Sequence, residues 1–165
     1  MNDILIKYGY STDEEVMGRT LANIASNLDG LMIPEVLKTC FSLMDLTTLR
    51  PNDTPASVRK LVEKVNGLRT EFPDYPLPAS ICVYPNFASV VAQTKKDDEL
   101  HVTTVSGCFP SSQSYLEVKV RECELAVENG ADEIDIVLAL NSFLEGDLET
   151  AGAEIKVMRE AIDAQ

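Results

Sequence analysis

The sequence predicts an α/β chain in which parallel strands alternate with helices. Three observations point that way. Strand-like and helix-like patterns alternate, β then α, four times between Cys40 and Gln165. The strand candidates are short and rich in Val, Ile and Leu, as strands covered by helices are. The helix candidates carry apolar residues at three- and four-residue spacing, with Pro or a capping side chain at several starts and Gly at several ends.

Taken in order, residues 1–11 read as an irregular lead. Thr12 with Glu15 forms a capping-box pattern, and Met17, Leu21, Ile24 and Leu28 mark one face of a helix that Gly30 ends. Pro34 opens a second short helix to about Lys38. Residues 1–39 therefore read as a helical extension, and residues 40–165 as the β/α body.

Cys40–Leu46 is the first expected strand, ending in the polar loop Thr47–Pro51. Thr54 and Pro55 start a helix with Val58, Leu61, Val62 and Val65 inward and Gly67 at its end. Ala79–Tyr84 is the second strand, followed by a helix from about Asn86 to Thr94. Val102–Ser106 is the third. Ser114 with Glu117 reads as another capping box, before a helix with Leu116, Val120, Cys123 and Val127 on one face. Gly130–Leu140 contains the fourth strand, and Asp147 caps a last helix carrying Leu148, Ala151, Ile155, Met158 and Ile162.

The strands also sort by parity, since residues two apart share a face. Asp45 and Thr47 alternate together, as do Ser80, Cys82 and Tyr84, then Thr104 and Ser106, with Asp135 on the last strand. The opposite parity is more apolar, as in Met44 and Leu46, Ile81 and Val83, and Ile134, Ile136 and Leu138. A (β/α)8 TIM barrel explains this: apolar residues face the helices, and polar ones line the lumen and the carboxyl ends, where barrel active sites lie. Such a barrel takes roughly 250 residues, so four β/α units are half of one. A flavodoxin-like open sheet is the competing architecture. Asp135, between Ile134 and Ile136, is expected to be buried and therefore paired or protonated, a candidate for acid–base work.

Composition narrows the function. A net charge of −13 repels phosphate backbones and anionic membranes, so neither nucleic acid nor a membrane is an expected partner. No run approaches the roughly 18 apolar residues of a membrane helix, and no signal-peptide pattern opens the chain, so a cytoplasmic location is expected. One His and four widely spaced cysteines without a Cys-x-x-Cys make a metal site unexpected and buried reduced thiols expected. No Gly-rich phosphate loop is present.

Several runs together resemble one family. Leu43–Leu49 (LMDLTTL), Ser80–Pro85 (SICVYP), Val102–Pro110 (VTTVSGCFP), Glu117–Lys119 (EVK) and Gly130–Val137 (GADEIDIV) closely resemble deoxyribose-phosphate aldolase, in order and with suitable spacing from about Leu43 to Ala161. The resemblance implies a TIM barrel, of which this chain covers the first four β/α units after a helical extension. It implies a metal-free, cofactor-free lyase of deoxyribonucleotide catabolism. That enzyme reversibly cleaves 2-deoxyribose 5-phosphate to acetaldehyde and glyceraldehyde 3-phosphate through a lysine Schiff base. By the same resemblance Asp135 serves the proton relay, and Cys82, Asp45 and Thr47 belong to the substrate pocket. Thr104 and Ser106 join that pocket by strand parity.

The family's Schiff-base lysine lies in a Lys-Thr-Ser-Thr-Gly-like motif, which this sequence lacks. None of its lysines lies on an expected strand with lumen parity, and Lys119 reads as a solvated helix residue. A half-barrel would expose two strand edges. The expected partners are therefore a missing carboxyl-terminal half or further copies in a homo-oligomer, besides the small sugar phosphate and aldehyde. The alternative function is a non-catalytic half-barrel that binds or assembles through its open face.

Overall fold

The computed structural model describes Gly9 and residues 13–164. The chain forms two compact units, residues 1–39 and 40–165. The first carries α1 (Glu14–Ser26), α2 (Leu28–Leu31) and most of α3 (Pro34–Ser42). The expected lead over residues 1–11 and the cap at Thr12 lie outside the described residues, Gly9 apart. Asp13 caps α1, its carboxylate accepting from the N–H groups of Glu15 and Val16, both at 3.0 Å. The stripe of Met17, Leu21, Ile24 and Leu28 remains half-exposed throughout. The helix breaks at Asn27, and Gly30 lies inside α2.

The second unit runs β1 (Asp45–Thr47), α4 (Pro55–Glu71), β2 (Ser80–Val83), a 3-10 turn (Pro85–Phe87), α5 (Ala88–Thr94), β3 (His101–Ser106), α6 (Leu116–Glu128), β4 (Glu133–Ile136), α7 (Leu140–Glu145) and α8 (Leu148–Asp163). The sheet order is β1-β2-β3-β4 and every pair is parallel. That order decides between the two architectures. A doubly wound sheet reverses direction at a switch point and covers both faces with helices. Here each crossover steps the same way, so right-handed connections put the helices on one face only. The second unit is half of a β/α barrel, with its crossover helices on the outer face.

The core lies between sheet and helices. Val58, Val62 and Val65 of α4, Val91 of α5 and Ala126 of α6 cluster with Ile81, Val83 and Val102 of the strands. Each fully buried Val contributes about 1.5–3 kcal/mol through apolar burial, so this layer holds the sheet in place. Thr54 caps α4 reciprocally with Ser57, and Asp147 caps α8 through the N–H of Thr150 at 3.0 Å.

Four local expectations change. Residues 40–42 finish α3 and leave only Asp45–Thr47 as strand, so Cys40 is an exposed helix residue. Helix α4 runs through Gly67 to Glu71. Tyr115 replaces Ser114 at the start of α6, with no side-chain cap. A short helix, α7, forms where none was expected and ends at Gly146, whose φ of 85° is the left-handed stop that glycine accommodates.

Candidate functional site

Parallel pairing assigns each strand residue to a face. Asp45 pairs with Ser80, Thr47 with Cys82, Cys82 with Thr103, Thr103 with Glu133, and Val105 with Asp135. Paired residues share a face, so Asp45, Thr47, Ser80, Cys82, His101, Thr103, Val105, Glu133 and Asp135 point inward. Leu46, Ile81, Val102, Thr104, Ser106 and Ile134 point to the helices.

This corrects two pocket residues. Thr104 and Ser106 lie on the helix side, both buried. The Thr104 hydroxyl has no hydrogen-bond partner among the described residues, and Ser106 lies beside the Cys123 thiol, which burial pushes up to about 11. The parity failed because β3 is buried on both faces from Val102 to Ser106. Polarity cannot mark a solvent side on such a strand, and a one-residue offset exchanges all its side chains between faces.

The inward side chains form two layers. The first lies toward the strands' amino ends and is hydrogen-bonded throughout. Ser80 Oγ donates to Asp45 Oδ1 at 2.7 Å. Thr103 Oγ1 stands 2.8 Å from Ser80 Oγ and 2.9 Å from Glu133 Oε2, with one proton to share between them. His101 Nδ1 is 2.9 Å from Glu133 Oε1. The bond from His101, seconded by Thr103, holds the Glu133 carboxyl below its ordinary 4.5. Asp45, expected at a carboxyl end, belongs to this amino-end layer and is exposed.

The second layer, one alternation further along, holds Thr47, Cys82, Val105 and Asp135. Cys82 is buried and its thiol is raised by desolvation, against a hydrogen bond from Thr47 and with the Asp135 and Asp45 charges adding to the rise. Asp135 is exposed. It was expected inside, but β4 is an edge strand whose inner face is open, so water reaches the carboxylate. Among the described residues it makes no hydrogen bond. The inner face thus presents Thr47 beside the buried Cys82 thiol, and a solvated carboxylate, Asp135, across β3 from them and close enough for its charge to act on the thiol, groups able to hold and move a proton.

Sequence reasoning missed Ser80's bonding role, Thr103, Glu133 and His101. Glu133 was legible, because it shares the parity of Asp135. Lys119 is also corrected: it is 1% exposed, not solvated, and pairs with Glu154 at 2.7 Å. A groove of about 550 Å³ lies away from the inner face, lined by residues that include Pro85, Asn86, Val118 and Leu125. Among the described residues no three His, Cys, Asp or Glu side chains converge as a metal site, and no helix is long and apolar enough to cross a membrane.

No protein-family model matches the chain. Curated proteins do. A deoxyribose-phosphate aldolase of Clostridium botulinum is 36% identical over 118 residues, covering 72% of this chain and 51% of the relative. One from Agrobacterium fabrum is 35% identical over 131 residues, covering 79% of this chain and 48% of its own length. Among solved structures, the tetrameric deoxyribose phosphate aldolase of Aeropyrum pernix superposes with a TM-score of 0.60 at 28% identity, covering 82% of this chain and 53% of that one. The aldolase QR15 gives 0.64 at 26% identity, covering 73% and 50%. The chain spans about half the length of the curated relatives it matches. Sequence and fold together make this chain a half-barrel related to the deoxyribose-phosphate aldolases.

Proposed function

We propose that this half-barrel contributes the acid–base side of a Schiff-base aldolase that cleaves 2-deoxyribose 5-phosphate to acetaldehyde and glyceraldehyde 3-phosphate in the cytoplasm. The observation that carries the reading is Asp135, exposed on the inner face that also holds Cys82 and Thr47, with no hydrogen bond among the described residues. A carboxylate so placed can pass protons to and from a carbinolamine or an imine through water. Thr47 and the Cys82 thiol then shape the aldehyde end of the pocket, and Asp45 supports them through Ser80. The amine that forms the imine comes from outside residues 1–165. None of the described lysines lies on a strand, and the Lys-Thr-Ser-Thr-Gly-like motif does not occur. When the imine is protonated, it accepts the electron pair of the breaking carbon–carbon bond.

Borohydride trapping with acetaldehyde tests this. Residues 1–165 alone should trap no aldehyde on a lysine, while the assembled aldolase should trap one. A lysine labelled within residues 1–165 overturns the assignment.

A second reading rests on the edges. Among the described residues β1 and β4 each lack an outer neighbour in the sheet, so the chain can act as an assembly module, closing its barrel with another polypeptide or with copies of itself. Sedimentation across a concentration series decides: association supports it, and a monomer at all concentrations without a partner counts against it.

A further inference from the structure

We propose that Lys119 is a positioning residue for Asp135: paired with Glu154, it fixes the loop after β3 against the carboxyl end of β4. The inference rests on the aldolase reading only in taking Asp135 as the acid–base group.

Lys119 sits on α6 and is 1% exposed. Its Nζ donates to Glu154 Oε2 of α8 at 2.7 Å and to Ser112 Oγ at 2.9 Å. An ammonium can only donate, so the Ser112 oxygen accepts from it, and the single Ser112 proton is left for another acceptor. The Val137 carbonyl, 3.5 Å away, is in place to receive it. Val137 directly follows β4 and is two residues past Asp135. The other end of the loop is held from the same helix: Glu122, one turn on from Lys119, accepts from the Cys108 N–H at 2.7 Å.

The loop between these ties is conformationally demanding. Gly107, Cys108 and Ser112 have φ of 73°, 58° and 56°, a region that non-glycine residues enter only when their surroundings hold them there. At Gly107 a Cβ would lie 3.3 Å from the Val137 nitrogen and 3.4 Å from Met158 Sδ, so loop and strand end approach closely. Both ends of the loop thus bear on Val137, one by contact and one through Ser112. A buried ion pair is a weak source of stability, since desolvation cancels much of the attraction. Its effect here is geometric: it gives the Ser112 hydroxyl one orientation, and that hydroxyl holds the strand end that carries Asp135.

The test uses the full chain, labelled for amide and carboxyl resonances. In Lys119→Met, the Val137 amide and the Asp135 amide and carboxyl signals should move by more than a linewidth, and amide exchange across residues 107–114 should speed up by about tenfold or more. Signals of Val62 and Ile81, in the core around α4 and β2, should stay in place. If Lys119→Met does not fold, Lys119→Met/Glu154→Met leaves neither charge buried alone, and Ser112→Ala cuts the tie without touching the ion pair. Both should give the same displacement at Asp135. Asp135 signals unchanged in a folded variant overturn the proposal, as does a uniform change that includes Val62 and Ile81. Absence of turnover or trapping bears on the aldolase reading alone, because these signals do not depend on it.

Discussion

The two layers of the inner face use similar residues to opposite ends. In the amino-end layer every polar group has a partner, from Asp45 through Ser80 and Thr103 to Glu133 and His101. In the next layer Asp135 has none among the described residues, and Cys82 is raised by its burial rather than lowered by a base. Satisfied polar groups hold strands in register; a carboxylate left solvated and unbonded is available for substrate. The difference separates a bonded framework from an open carboxylate on one face of the sheet.

Substitutions should break the two layers in different ways. Asp135→Asn should lower the aldol rate of the assembled enzyme by about 100-fold or more, the scale of acid–base catalysis, with little change in the urea midpoint. An unchanged rate would remove Asp135 from the chemistry. Thr103→Val should act in reverse. It strips a hydroxyl from between Ser80 and Glu133, at a position only 4% exposed, and should cost about 1–3 kcal/mol in urea unfolding. A loss within error would mean that water replaces the bond.

The smallest effect belongs to Glu133. Its folded carboxyl titrates below 4.5, so the unfolded chain binds the proton first. The stability this supplies is complete above the unfolded value and is lost as pH falls through the folded one. Glu133→Gln should therefore flatten the acid limb of a stability profile below about 4.5 and leave neutral pH nearly untouched. The effect is small because the side chain is 48% exposed and solvent screens it. An acid limb of wild-type steepness in the variant would assign that slope to Asp53, Asp97 and Asp147, whose carboxyls are also held low.

Much of the fold was legible because it is periodic. The stripe of Val58, Val62 and Val65, the Thr54–Pro55 start and the Asp147 cap all act within one turn of helix, where spacing alone fixes who meets whom. The site was legible for Asp45, Thr47, Cys82 and Asp135 as to face, since β1 and β2 alternate polar and apolar residues. It failed at β3, where both faces are covered and Thr103 and Thr104 look alike. Burial failed at Asp135, because apolar neighbours along a strand do not say whether anything stands above it.

The sequence by itself determined the β/α alternation, the helix starts and the parity of the strands beside β3, all local consequences of side-chain spacing. Only the tertiary structure decided that Thr103 rather than Thr104 faces inward, that Asp135 meets water and that Lys119 is buried against Glu154. Those outcomes depend on the register between strands and on contacts between elements up to 35 residues apart, and neither is encoded in the pattern of any single segment.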